Sequence, residues 1–134
     1  MGIQNLAENI IFTALTDEQK IGDELKAVNE FVNNRRNINV IIDFSRVEVV
    51  NSSNISNLII LHNLLRQYGC WLILCNVAVP TKCIFTVVGL DKFFVFADDK
   101  QAALEIIKNA GQTATVPTAP DLEFKNLKSS QPSR

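Results

Sequence analysis

The stretch best suited to carry chemistry is a run of four small polar residues, Asn51-Ser52-Ser53-Asn54. It follows the apolar, β-branched run Val40–Phe44, which is typical of a strand covered on both faces. The apolar-rich segment 55–68 comes next and predicts a helix. Serine and asparagine are favoured at helix N-termini, where their side chains satisfy backbone N–H groups and where phosphate is also stabilised. The run therefore indicates a helix cap, a phosphate-bearing serine, or both.

The sequence offers little for a catalytic site. Its one histidine, His62, lies within the predicted helix, and no nucleophile and carboxylate stand near it as a triad would need. The five glycines are scattered and form no phosphate-binding loop. We therefore expect no enzyme activity and no cofactor. His62 is interpreted as a residue at the boundary of the buried face of its helix.

Asp43 stands at the end of the predicted strand, where response-regulator receivers carry a phosphoacceptor aspartate. That chemistry needs magnesium held by an acidic pair after the first strand, and only Asp17 is available there. The preferred expectation is that Asp43 hydrogen-bonds the backbone of the loop that follows it. The cysteines are odd in number and form no CxxC pair, which predicts reduced, mostly buried thiols and no zinc site at Cys70, Cys75 and Cys83.

The order of these pieces resembles the STAS domain of anti-sigma factor antagonists. The resemblance rests on the apolar strand, Asp43-Phe44-Ser45, the short loop, Asn51–Asn54 and the apolar helix, followed by the segments 68–77 and 88–94. It covers about residues 8–110. The sequence departs from the family pattern at two positions: Asn51 replaces the usual aspartate and Asn54 replaces the usual glycine.

The resemblance implies a function and a site. In the family, the loop serine after the acidic residue is phosphorylated by a partner anti-sigma kinase, and the matching position is Ser52, with Ser53 as the less favoured choice. The implied partner is an anti-sigma factor, often a serine protein kinase of the histidine-kinase ATPase type. Two alternatives stay open: a non-phosphorylated STAS scaffold or transporter-associated module, and a STAS domain that binds a small molecule or nucleotide.

Hydrophobic periodicity predicts a single α/β domain over about residues 8–110, with a mixed or parallel sheet of about four strands and about four helices. The strands are expected near 10–15, 40–44, 71–77 and 93–97. The first helix carries an apolar stripe from Ile21 to Val32, and a short helix begins at Pro80 and stops at Gly89. Asp98 and Asp99 are candidate caps of a final helix, whose apolar stripe is Ala103, Ile106, Ile107 and Ala110.

The second helix carries the best evidence for a binding surface that does not depend on the family. Plotted at about 100° per residue, its core face comprises Leu58, Leu61, Leu64, Leu65 and Tyr68. Ile55 and Ile59 are then expected to face outward, unless neighbouring loops cover them. Ser53 is expected to cap the helix. The predicted partner-binding surface comprises Asn51, Ser52, Ser53, Asn54, Ile55, Ser56, Ile59 and Asn63.

Composition narrows the remaining possibilities. The 134 residues are 47% apolar and carry a net charge of −1, which supports one core and argues against nucleic-acid binding. No apolar run approaches the roughly 20 residues of a membrane helix, and residues 1–8 lack a signal-peptide pattern. We therefore expect a cytoplasmic protein. The polar composition after Gly111, with Pro117, Pro120 and Pro132, predicts a flexible tail over 111–134.

Overall fold

The computed structural model describes residues 3–16 and 18–111, without the side chains of Glu18, Ala110 and Gly111. This part of the chain forms five strands and four helices, preceded at the first helix by the short 3-10 turn Glu18–Lys20. The elements in chain order are β1 (Ile3–Ala7), β2 (Ile10–Ala14), α1 (Ile21–Arg35), β3 (Asn39–Asp43), α2 (Ser52–Gln67), β4 (Leu72–Cys75), α3 (Val79–Val87), β5 (Val95–Ala97) and α4 (Lys100–Gly111).

The sheet has the simple order β1-β2-β3-β4-β5, which places β3 at its centre. β1 pairs with β2 antiparallel, and the later pairs are parallel. Asp43 is level with Cys75 of β4, so the loops after β3 and β4 leave the same edge of the sheet. The predicted mixed α/β architecture is confirmed, with β1 as an additional strand.

Two apolar clusters cover the two faces of the sheet. Alternating side chains of β3 divide between them: Val40 and Ile42 join the larger cluster with α1, α2 and α3, while Ile41 joins the smaller one with α4. This division follows from the period-2 alternation of a strand and explains why β3 is apolar throughout. The central strand, from which the loop to α2 leaves, is therefore packed on both of its faces.

Several predicted element ends are confirmed. Proline lies in the first turn of α3, Gly89 follows it with φ of 81°, and the side chain of Asp99 caps α4 by accepting the N–H of Ala102 at 2.8 Å. The last strand is shorter than predicted, because Phe93 and Phe94 belong to the preceding turn. Their rings pack beneath the helices instead of lying in the sheet.

Two further expectations concern the C-terminal tail and membrane-spanning segments. The predicted flexible tail lies outside the described residues, apart from Gly111 at the end of α4, and it stays a prediction. Within residues 3–16 and 18–111, no helix has the length and apolar content needed to cross a membrane.

Candidate functional site

The N-terminus of α2 is closed by two asparagine side chains. The backbone N–H of Asn54 donates to the side-chain oxygen of Asn51 at 2.8 Å, and the N–H of Asn51 donates to the side-chain oxygen of Asn54 at 3.1 Å. This reciprocal pair is a capping box. The prediction that Ser53 caps the helix is therefore wrong, because Asn51 occupies the capping position.

Ser52 and Ser53 form the first turn of α2, and both side chains are exposed. The asparagine cap uses neither hydroxyl. No acidic residue lies in this first turn, so no helical carboxylate offsets the partial positive charge of the helix N-terminus. The structure thus presents two serine hydroxyls to solvent at a place that stabilises added negative charge.

The loop between β3 and α2 is anchored at both ends. The carboxylate of Asp43 accepts the N–H of Ser45 at 3.0 Å, as predicted, and the hydroxyl of Ser45 at 2.9 Å. It also accepts the side-chain amide of Asn76, which follows β4, at 2.8 Å. Further along, Val47 and Val50 are buried in the larger apolar cluster. These contacts fix the loop that positions Ser52.

Exposed valines flank this loop, and neither was among the site residues predicted from the sequence. Val49 and Val79 are 60% and 73% exposed. The hydroxyl of Thr81 donates to the backbone oxygen of Glu48 at 3.5 Å, which joins the loop to the first turn of α3. Val49 follows Glu48 and Val79 precedes Thr81 by two residues, so both valines lie beside the loop that leads to the serine turn. An apolar side chain is expected to be buried, so the residue type alone could not predict that these valines are exposed.

The exposed face of α2 is rotated from the one predicted. Ile55 and Ile59 are half-buried and pack against the larger cluster, whereas Ile60 is 52% exposed. The outward orientation of Ile55 and Ile59 was therefore wrong. The cause is a second set of buried residues on α2, Asn54 and His62, which shifts the core face toward the isoleucines. The residues that face solvent along α2 are Ser52, Ser53, Ser56, Ile60, Asn63, Arg66 and Gln67.

His62 is buried, with 8% of its surface exposed, and is not the boundary residue expected. Its ring centroid lies 4.3 Å from that of Phe93 and 5.7 Å from that of Phe94. Burial, with a further contribution from the positive charge of Arg66, lowers the pKa of His62 to about 4. The residue is thus a neutral member of an aromatic cluster on the inner side of α2.

The predicted partner-binding residues do lie together, but not all are accessible. Asn51, Ser52, Ser53, Ser56 and Asn63 are exposed, while Asn54 is buried by its capping role. Beside Ile60, Leu64 lines an open groove of about 380 Å³ between α1 and α2. The accessible surface is therefore mostly polar, with one exposed isoleucine. Its charged side chains are Arg66 on α2 and Lys26 and Glu30 along the groove, a composition suited to a protein partner.

The remaining reactive groups do not assemble into a second centre. Cys70 and Cys75 are buried free thiols, and Cys83 is exposed on α3. Burial, together with the nearby carboxylates of Asp43 and Asp99, raises the pKa of Cys75 to about 12. Across the described residues, no three metal-ligating side chains come together.

The fold and the exposed serine turn define a class: a small α/β domain whose candidate site is a surface at the end of its central strand. The model of the STAS domain family matches residues 7–103, so the chain belongs to the STAS domain family. A search of curated protein sequences finds no match.

Solved structures of similar fold include anti-sigma factor antagonists. An RsbS variant of Moorella thermoacetica has a TM-score of 0.72 and 20% identity, covering 83% of this chain and 97% of its own. Unphosphorylated SpoIIAA, an anti-sigma factor antagonist, has a TM-score of 0.66 and 14% identity over 81% of this chain and 96% of its own. An anti-sigma-factor antagonist (STAS) domain protein of Planctomyces limnophilus has a TM-score of 0.62 and 18% identity, with coverages of 80% and 97%.

Proposed function

We propose that this protein is an anti-sigma factor antagonist that docks an anti-sigma factor through the N-terminal turn and the exposed face of α2. The observation that carries the proposal is the position of Ser52. Its hydroxyl is exposed in the first helical turn, and the cap is supplied by Asn51 and Asn54 instead. Membership of the STAS family and the fold shared with anti-sigma factor antagonists support it.

Phosphorylation of Ser52 would operate the switch. A phosphate adds about −1.5 to −2 charges at neutral pH. In the free protein, the N-terminus of α2 stabilises that charge, because its first turn holds no carboxylate. In the complex, the phosphate would face a partner surface arranged for a neutral serine, and docking would weaken. The kinase activity belongs to the partner, and this chain is the substrate, in a cytoplasmic setting.

The exposed apolar side chains supply the second part of the docking surface. Ile60 lies among Ser56, Asn63 and Gln67 on the accessible face of α2, and Val49 lies just before the serine turn. Desolvated apolar side chains surrounded by neutral polar groups are the usual source of affinity at protein interfaces. Ile60 therefore replaces Ile55 and Ile59 as the proposed apolar contact of α2.

Binding of variants to the purified anti-sigma factor of the source organism tests the docking surface. Ser52→Asp should weaken binding more than Ser52→Ala, since only aspartate adds charge to the contact. Gln101→Asp on α4, exposed on the other face of the sheet, is the charge control and should bind as the parent does. Equal binding by Ser52→Asp and Gln101→Asp would contradict the proposal.

Ile60 is tested by a matched pair of exposed apolar residues. Ile60→Asn should reduce affinity by about tenfold, corresponding to roughly 1.4 kcal/mol of lost contact. Val87→Asn, at an 84% exposed position near the far end of α3, should leave affinity unchanged. If both variants bind alike, Ile60 does not belong to the docking surface.

The neutral side chain of Asn51 favours a second candidate function, that of a STAS scaffold which uses the same surface without phosphorylation. Asn51 forms the cap that an aspartate would also form, but it places no charge beside Ser52. Asn51→Asp keeps the cap and restores the acidic residue usual in the family. A kinase that modifies only the Asn51→Asp variant would favour the scaffold function for the natural sequence.

A further inference from the structure

His62 lies in a setting that tolerates only its neutral form. The imidazole is buried between α2 and the turn 90–94, and its Nε2 atom is enclosed without a hydrogen-bond partner among the described residues. A neutral imidazole leaves one nitrogen without a proton, whereas the protonated ring carries a charge and a second donor. The aromatic surroundings provide no partner for the charge or for that donor. Protonation therefore disfavours the buried position of the ring.

Among the residues that the structure describes, the groups around His62 offer no compensating charge. On α2 itself, Arg66 acts on the imidazole and lowers its pKa further. The turn 90–94 contacts the ring through Phe93 and Phe94, and its charged residues Asp91 and Lys92 are exposed. α3 joins the aromatic cluster through Phe85, while its Lys82 lies over the ring of Phe96, 5.7 Å from the centroid.

The turn 90–94 packs on the larger apolar cluster through Leu90, Phe93 and Phe94. It connects α3 to β5, a three-residue strand at the edge of the sheet that pairs only with β4 within the described part of the chain. Its ring contacts run to His62 and to Phe85. Short edge elements open at lower free energy than the whole fold. Phe93 and Phe94 contact the imidazole directly, so loss of that contact should affect this turn before it affects the sheet.

We propose that the contact between His62 and the turn 90–94 is an acid-sensitive switch: a proton bound at Nε2 expels the imidazole from the aromatic cluster and releases the turn, while the sheet stays folded. The inference goes beyond the proposed function and does not depend on it. It makes the inner side of α2, the helix with the exposed serines, responsive to pH through a single side chain.

The direction of the pH dependence follows from the two protonation states. The pKa of His62 is lowered from 6.5 to about 4 in the closed state, whereas in an open state the exposed imidazole recovers its ordinary value. The open state therefore binds more protons between these values, and acid favours it. The contact is intact above pH 6.5, and the equilibrium constant for opening rises by up to about tenfold for each pH unit down to about 4.

Nuclear magnetic resonance of the full chain tests the switch directly, because His62 is the only histidine. We expect its imidazole signal to titrate below pH 5. Below pH 6.5, amide hydrogen exchange of residues 90–94, corrected for intrinsic rates, should accelerate, while the amides of β3 and β4 keep their protection. A titration near pH 6.5 with residues 90–94 unchanged would overturn the proposal, and so would opening of the whole sheet at the same pH.

Two variants separate this switch from general acid sensitivity. His62→Gln removes the titrating group, and the acid-induced opening of residues 90–94 should disappear. Arg66→Gln changes an exposed residue, so it tests the proposal even if His62→Gln does not fold. Removing the positive charge should raise the pKa of His62 in the closed state. The interval over which acid favours opening then narrows, so the acid-induced acceleration of exchange in residues 90–94 should be smaller than in the parent. Acid-induced opening that is unchanged in His62→Gln, or that is larger in Arg66→Gln than in the parent, contradicts the switch.

Discussion

At the scale of single residues, Asn51 is the side chain on which the start of α2 depends. Its side-chain oxygen accepts the backbone N–H of Asn54, and the side-chain oxygen of Asn54 accepts the backbone N–H of Asn51. Asn51→Ala should therefore lower the free energy of unfolding by about 0.5–2 kcal/mol, as the loss of an N-cap does. Ser53→Ala should change it by less than about 0.5 kcal/mol, because Ser53 is exposed and is not the cap. Urea denaturation of both variants measures the difference, and equal losses would contradict this assignment.

The sequence could specify some side-chain roles and not others. The bond from Asp43 to the following loop was predictable because both partners are local in sequence. The bond from Asn76 to Asp43 was not, because it joins residues after different strands. The cap was ambiguous since four consecutive residues all suit an N-terminus. Only the three-residue spacing of Asn51 and Asn54, typical of a capping box, could have selected them.

At the scale of elements, a buried asparagine ties the start of β3 to its neighbours. The side-chain oxygen of Asn39 accepts the N–H of Trp71 at 2.8 Å, and its amide donates to the backbone oxygen of Asn9 at 3.3 Å. Asn39→Ala should cost about 1–3 kcal/mol of stability, because the N–H of Trp71 loses its partner in a buried position. The exposed Asn37→Ala is the matched control and should unfold at nearly the parent denaturant midpoint.

The rotation of α2 shows where helical periodicity alone was insufficient. Five leucine and tyrosine positions placed the core face correctly on one side, but its centre depended on His62 and Asn54, which are polar by type and buried by context. The rings of Phe93 and Phe94 extend the core to that side. They arrive from a distant part of the sequence, and this tertiary contact turns Ile55 and Ile59 inward and leaves Ile60 outside.

At the scale of the whole molecule, both faces of the sheet are covered by helices within the described residues. Truncation after Gly111 should therefore shift the thermal unfolding midpoint by less than about 2 °C, measured by circular dichroism against the full chain. A large decrease would mean that Leu122, Phe124 or Leu127 contributes to the fold. Leu25→Ala, at a fully packed position of α1, provides the reference for a severe loss.

The order and type of the central elements were more predictable than the strand at the edge of the sheet. Four strands and four helices followed from alternating apolar runs and amphipathic stripes, and their order fixed the parallel part of the sheet. β1 was missed because Ile-Gln-Asn-Leu-Ala is mostly exposed and lies at the edge, with β2 as its pairing strand. Such a strand is specified by its partner more than by its own composition.

Ser52 is proposed as the residue through which a partner controls this domain. Incubation of the full chain with the cognate anti-sigma kinase and ATP, followed by phosphopeptide mapping, tests this role. We predict a single phosphate on Ser52, its loss in Ser52→Ala, and unchanged modification in Ser53→Ala. Phosphate on Ser53 alone, or no phosphate under conditions in which the kinase modifies the Asn51→Asp variant, would contradict the claim.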